Sequence, residues 1–317
     1  MIPKENKVTK YLVILVGIST LCRILLASQL ELSVDESYYW LYALYPDWSH
    51  FDHPPMVGFT IQLFSFNLLL DSELMLRLGP ILFSALNTIL VFKIGRFLKD
   101  EWTGLYAAML YSSSIYLSVL AGVFIIPDAP QMFFWMLALN FLVRCLPADP
   151  IGQKARRQLL LAGLFAGLAI YSKYHGVFIW TGALLYILIY NRKWFLQPSL
   201  YLSGLISIAF IIPILYWNLQ HQFISFGFHG ERVTPDLAFH ADYFLREIGG
   251  QIAYNNPINF FLIAASLLAV FRGRKIMSKD KLRVLLLNSI PLWAIFTALT
   301  GENRMEAGSR AILGYQV

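Results

Sequence analysis

The stretch YLVILVGISTLCRILLASQL, Tyr11 to Leu30, decides the fold class. It carries a single charge, Arg23. A helix of about 20 apolar residues crosses the hydrocarbon core of a bilayer. A cleavable signal peptide has a shorter apolar core and ends at a small-residue site, and no such site precedes Glu31. The segment is therefore expected to stay as a membrane helix. Arg23 is costly in lipid and is expected to face the bundle interior, held by a structural partner.

Composition extends this reading to the whole chain. Of 317 residues, 57% are hydrophobic and 14% charged, against about 25% charged in a soluble domain. Apolar runs recur at 11–30, 74–98, 103–121, 131–146, 158–172, 176–190, 199–217, 257–271 and 282–300. In lipid every backbone group must be bonded internally, so these runs are expected to be helices. No barrel-like alternation is present. The expected fold is an all-α polytopic membrane protein of about nine transmembrane helices. Cys22 and Cys145 each sit in an apolar run, which excludes a disulfide framework and a zinc spacing.

The net charge of +6 reflects topology rather than nucleic-acid binding. Lys4, Lys7, Lys10, then Lys93, Arg96, Lys99, then Arg144, Lys154, Arg156, Arg157, then Arg192, Lys193, then the run from Arg272 to Arg283 all fall on one side if nine spans alternate. Most acids fall on the other. The basic side is cytoplasmic, which places the N-terminus inside and the first polar segment, 31–73, outside.

That segment is dense in aromatic and acidic residues, from Asp35-Glu36-Ser37-Tyr38-Tyr39-Trp40 to Phe51-Asp52-His53-Pro54-Pro55. Short helices lying in the interface are expected there. Residues 56–70 read as a re-entrant or interfacial helix. A true span at that place would invert all that follows, and the charge pattern disfavours it. Two further outer segments carry chemistry: the turn Pro127-Asp128-Ala129-Pro130 and the long loop 218–256 with His221, His229 and Arg232. Lys173 sits at the outer end of the fifth span. Within that span, Gly163 and Gly167 form a small-xxx-small pattern expected to pack closely against another helix.

Asp35 and Glu36 are adjacent, so on a helix they point about 100° apart and serve different partners. Carboxylates with Lys173 and Arg232 at one level suit a substrate with a phosphate and a hydroxyl. A cation stabilises a leaving phosphate, and a carboxylate takes the acceptor proton. Taken singly, each has an ordinary reading: Asp128 as a helix cap, Lys173 as a snorkelling anchor.

Together these motifs resemble the GT-C membrane glycosyltransferases, in the bacterial branch related to protein O-mannosyltransferases and the lipid A aminoarabinose transferase. The matching elements are Asp35-Glu36-Ser37-Tyr38-Tyr39, Phe51-Asp52-His53-Pro54-Pro55, Pro127-Asp128-Ala129-Pro130, Ser172-Lys173-Tyr174, Trp217-Asn218-Leu219-Gln220-His221 and Ser225-Phe226-Gly227-Phe228. The resemblance implies an inverting transfer from a polyprenyl-phosphate sugar to a lipid, glycan or protein acceptor. The reaction would take place at the outer face of a bacterial cytoplasmic membrane. It implies Asp35, Glu36 and Asp128 as catalytic carboxylates, and Lys173, Tyr38, His53 and Arg232 on the substrate side. Some relatives hold a divalent metal at positions matching Asp52 and His221, a sparse donor set for zinc. Residues 1–300 are expected to form the transferase domain and 301–317 an irregular tail. That tail departs from the family's continuation, which leaves a truncated or frame-shifted product open. A transporter or flippase of lipid-linked substrates, and an inactive remnant, stay open as alternatives.

Overall fold

The computed structural model describes residues 4–233, 241–275 and 277–300, with side chains at 7–230, 244–275 and 277–291. The tail expected at 301–317 lies outside the described residues. Helices account for most of the described chain, and no strand occurs among the described residues.

The first outer segment is set between two long helices. α1 (Lys4–Gln29) leads to α2 (Val34–Leu44), α3 (Met56–Phe64) and the single turn α4 (Glu73–Leu76), before α5 (Leu78–Leu98). α2 begins with a capping box, in which the Ser33 hydroxyl accepts from Glu36 N and Ser33 N donates back to the Glu36 carboxylate. α3 has only nine residues, too few to cross a bilayer. Residues 56–70 therefore do not form a span.

The run at 103–121 is not one straight span. α6 (Glu101–Ser113), capped by Asp100, gives way to a π-helical turn at Tyr116–Leu120 and then α7 (Ala121–Val123), with a bend of 78°. α8 (Asp128–Cys145), α9 (Gln153–Ser172) and α10 (Phe178–Tyr190) follow. Their facing residues form the largest buried cluster, which includes Leu142, Leu159, Ile187 and Trp194, with Val284 added from the last helix. α11 (Pro198–Ala209) and α12 (Ile211–Gln220) continue one another. The expected loop 218–256 holds two helices, α13 (Ile224–Val233) and α14 (Ala241–Asn255). α15 (Pro257–Phe271) and α16 (Lys279–Thr300) complete the order.

Among the described residues, three helical stretches are long and apolar enough to cross a membrane by themselves: Lys7–Gln29, Leu78–Leu98 and Pro198–Gln220. The bent pairs Glu101–Ser113 with Tyr116–Val123, and Phe244–Asn255 with Pro257–Phe271, bring the number to five. The other expected spans are helices of 13 to 22 residues. The chain is a membrane protein.

Lipid offers no hydrophobic drive between helices, so close packing and hydrogen bonds must hold them together. The α9–α11 seam uses both. A Cβ on Gly163 would lie 2.2 Å from Ser203 Oγ, and one on Gly167 would lie 3.0 Å from Ser207 Cα. Ser203 donates to Leu159 O and Ser207 to Gly163 O, each at 2.6 Å. Of the two cysteines, Cys145 is buried and Cys22 exposed on α1.

Candidate active site

The first wall of the site hangs on a buried ion pair. Arg77, between α4 and α5, donates from Nε to Glu36 Oε1 and from Nη2 to Oε2, both at 2.8 Å. Its remaining donors take the carbonyls of Ala27, Leu30 and Glu31. The guanidinium thus ties up carbonyls around the C-terminal end of α1, which no helical N–H can reach. Glu36 also accepts from Ile125 N, at 3.1 Å. Neither side chain has any exposed surface. Burial alone would raise the Glu36 carboxyl, but Arg77 and the backbone N–H groups of Ser33 and Ile125 outweigh it and hold it below the ordinary range. Glu36, expected as a catalytic carboxylate, is instead sealed inside the fold with both oxygens engaged.

Its neighbour differs in every respect. Asp35 points into solvent from the first turn of α2 and makes no hydrogen bond or ion pair among the described residues. One turn further on, the Tyr38 hydroxyl donates to Asp52 Oδ1 at 3.0 Å, and Tyr42 makes a very short hydrogen bond to the same oxygen. His50 stacks on Tyr42 at 3.6 Å. His53 Nε2 stands 3.9 Å from Asp52 Oδ2, with its ring beside those of Tyr39 and His229. His229 Nε2, on α13, lies 2.6 Å from the Asp52 carbonyl oxygen, which requires the proton on that nitrogen.

The second wall is Asp128 with Lys173. Asp128 opens α8 after Pro127, and Lys173 is the extended residue that ends α9. The Lys173 ammonium donates to Asp128 Oδ2 at 2.8 Å and to Oδ1 at 3.0 Å. The Tyr116 hydroxyl adds a bond of 2.6 Å to Oδ1. The Asp128 side chain is thus turned to Lys173 and Tyr116 rather than capping its own helix. Burial would raise its carboxyl, but Lys173 and the Tyr116 hydroxyl hold it below the ordinary carboxylate range. Burial, and next to it the Lys173 charge, lowers His175 to about 4. Burial also lowers His53 to about 4, although Asp52 opposes it.

Tyr39 packs against Tyr38, Tyr42 and His53 on the first wall. Its hydroxyl is pushed above the ordinary phenol range first by burial, then by Asp52, Tyr38, Asp128 and Asp35. Carboxylates from three separate segments therefore act on one point. An exposed carboxylate can accept a proton, and a clamped ammonium can neutralise a phosphate.

The two positions expected to hold a metal do not fit one. No hydrogen bond or ion pair joins Asp52 to His221. The His221 ring stacks on Trp217 at 3.9 Å, with Nδ1 2.8 Å from the Trp217 carbonyl oxygen. The carboxylate that α12 meets is Asp47, through Trp217 Nε1 at 2.7 Å. Among the described residues no group of three or more His, Cys, Asp or Glu side chains could hold a metal ion. His221 instead lines an open cleft of about 430 Å³ with His50, Phe51, Trp217, Gln220, Gln222 and Ile224. Arg232 lies on α13, and its side chain is outside the described residues.

A family model described as dolichyl-phosphate-mannose-protein mannosyltransferase matches residues 52–217, half of the chain. The chain belongs to this mannosyltransferase family. It is 26% identical over 277 residues to the lipid A galacturonosyltransferase RgtD of Rhizobium johnstonii, covering 83% of this chain and 54% of that protein. The chain thus spans about half the length of that curated relative. The crystal structure of ArnT from Cupriavidus metallidurans bound to undecaprenyl phosphate superposes with a TM-score of 0.67 at 18% identity, over 92% of this chain and 60% of ArnT. The apo form gives 0.63 over 92% and 59%. At such identity the likeness shows the fold, an all-helical membrane fold of the GT-C type. The mannosyltransferase match includes Asp52, His53, Asp128 and Lys173, while Asp35 and Glu36 precede it and His229 follows it.

Proposed function

We propose that the chain transfers a sugar from a polyprenyl-phosphate donor to a lipid, glycan or protein acceptor, with inversion at the anomeric carbon. The observation that carries this reading is Lys173 fixed by Asp128, with Asp35 exposed on α2 and acting on the same Tyr39 hydroxyl as Asp128.

The roles follow from the surroundings of each group. Asp35 removes the proton as the acceptor oxygen attacks the anomeric carbon. The bond from that carbon to the phosphate oxygen breaks, and the electron pair leaves with polyprenyl phosphate. Lys173 neutralises the charge that grows on the leaving group, and Asp128 keeps its ammonium in place. Tyr38 and Tyr42 hold Asp52, which fixes the turn carrying His53 beside the phosphate. Glu36 is a positioning residue. With Arg77 it locks the first turn of α2 against α1 and so sets the direction of Asp35. If the acceptor is a phosphate, its oxygen is already ionised and Asp35 serves to orient it. RgtD, by its name, acts on lipid A, and we infer an acceptor in the same envelope lipid class.

The charge pattern supports nine crossings of a bacterial inner membrane, with the N-terminus in the cytoplasm and the site at the outer face. Deletion of the gene tests the reading. The envelope lipids or glycans of the deletion strain are expected to lack one sugar, restored by the wild-type chain and not by Lys173→Met. An envelope unchanged in mass and composition would overturn the proposal.

A further inference from the structure

Arg23 is the one charge between Tyr11 and Leu30, and it is almost wholly buried. No carboxylate pairs with it among the described residues. Two of its donors go to the π turn instead, Nε to Ser118 O and Nη2 to Ser118 Oγ, both at 3.0 Å, while Nη1 meets Ser19 Oγ on its own helix at 3.2 Å. The approach depends on Gly122. A Cβ there would lie 3.2 Å from Arg23 Nε, 2.9 Å from Ser84 Oγ and 3.0 Å from Leu117 O.

The turn that Arg23 holds has a local cause and a distant effect. π winding disturbs the i→i+4 ladder, and within a membrane the carbonyls it displaces need a substitute donor. The Arg23 fork supplies one at Ser118. Ser114 is extended and breaks the helix just before the turn, so α6 does not fix how Tyr116 is presented and the turn itself must. Ala121, Gly122 and Val123, after the turn, are buried. Tyr116 is the first residue of the turn, so its direction is set by the turn's winding. In this structure the Tyr116 hydroxyl meets Asp128 Oδ1 at 2.6 Å, and its ring packs edge-on against Tyr254.

We infer that the π turn at Tyr116–Leu120, pinned by Arg23, is a positioning device that aims the Tyr116 phenol at Asp128 and so orients the Asp128–Lys173 pair. Tyr116 and Arg23 are positioning residues. The catalytic consequence rests on the transfer reading above, whereas the geometry does not. The other groups acting on Asp128 are Lys173 at the end of α9 and His53 before α3. Tyr39 on α2 and His175 after α9 lie in the same field.

The test follows the Asp128 carboxyl directly, by infrared difference titration of the full chain in nanodiscs. The band is assigned by its loss in Asp128→Asn, and no transfer activity is needed. Tyr116→Phe removes one donor to the carboxylate and is expected to raise its titration midpoint by about one pH unit. Arg23→Met leaves Tyr116 intact and is expected to produce the same upward shift, with Arg23→Lys recovering part of it. A structural role for Arg23 alone would lower the melting temperature and leave the midpoint unmoved. An unmoved midpoint in folded Arg23→Met, or in Tyr116→Phe, overturns the inference. If the wild type transfers no sugar but the midpoints shift, the functional reading fails and the positioning device stands. Where transfer is measured, the acid limb of turnover is expected to move with the midpoint.

Discussion

Lys173 grips both oxygens of Asp128, at 2.8 and 3.0 Å, across 45 residues of sequence. Both side chains are mostly buried, at 21% and 16% exposed. Losing one partner leaves the other charge uncompensated in a poorly hydrated place. Lys173→Met and Asp128→Asn are each expected to cost about 3 kcal/mol, and the double variant less than the two together. Thermal unfolding of the purified set gives the coupling. Additive losses would mean that the pair is solvent-screened.

Asp35 and Glu36 are expected to separate cleanly. Glu36→Gln and Arg77→Met break a wholly buried pair and should each destabilise the fold by about 3–5 kcal/mol. Asp35→Asn changes an exposed side chain and should leave the melting temperature within about a degree or two. Monodispersity and melting of the three variants in detergent check this. A stable Glu36→Gln would remove the keystone role of the pair.

Acid should unfold the protein through its buried histidines. Burial lowers His50, His53 and His175 from 6.5 to about 4. Between those values the unfolded chain binds protons that the folded chain refuses. Stability is therefore complete above about pH 6.5 and falls as the pH drops towards about 4. The lowered Asp128 carboxyl continues the loss below the ordinary carboxylate range. The melting temperature is expected to decline steadily from pH 7 to pH 4.5, and His53→Gln to flatten part of the decline. A level profile would contradict the burial of these rings.

Close contact between α9 and α11 should be sensitive to one methyl group. A Cβ at Gly163 falls on Ser203 Oγ and lies 2.4 Å from Ser203 O. Gly163→Ala is expected to lower the melting temperature, and Ser203→Ala in the same chain to relieve only part of the loss, because the backbone contact remains. Full relief would show that the seam yields.

The outline of this fold was legible because lipid leaves a chain few choices. Uncharged runs near 20 residues had to be helices, and Pro127 and Lys173 marked two of their ends. The kink in the stretch at 103–121 was missed, although Ser112-Ser113-Ser114 stand where α6 ends; nothing local distinguishes the π turn after them from an α turn. The adjacent acids illustrate a second limit. Sequence places Asp35 and Glu36 about 100° apart but cannot say which faces the core. The clue was Arg77, a cation on the acidic side of the chain, whose partner lies 41 residues away. The third limit concerns histidines. His221 and His229 lie in one outer segment, and only the packing of α13 brings His229, rather than His221, to Asp52.

Asp35 and Lys173 are expected to act together in moving a sugar from a lipid phosphate. The most direct test is turnover by the full chain in proteoliposomes supplied with a polyprenyl-phosphate sugar and envelope lipid as acceptor. The account predicts a new glycosidic bond of inverted configuration, with turnover reduced at least about 100-fold in Asp35→Asn at an unchanged melting temperature. Undiminished turnover by folded Asp35→Asn, or a product that retains the donor configuration, would contradict it.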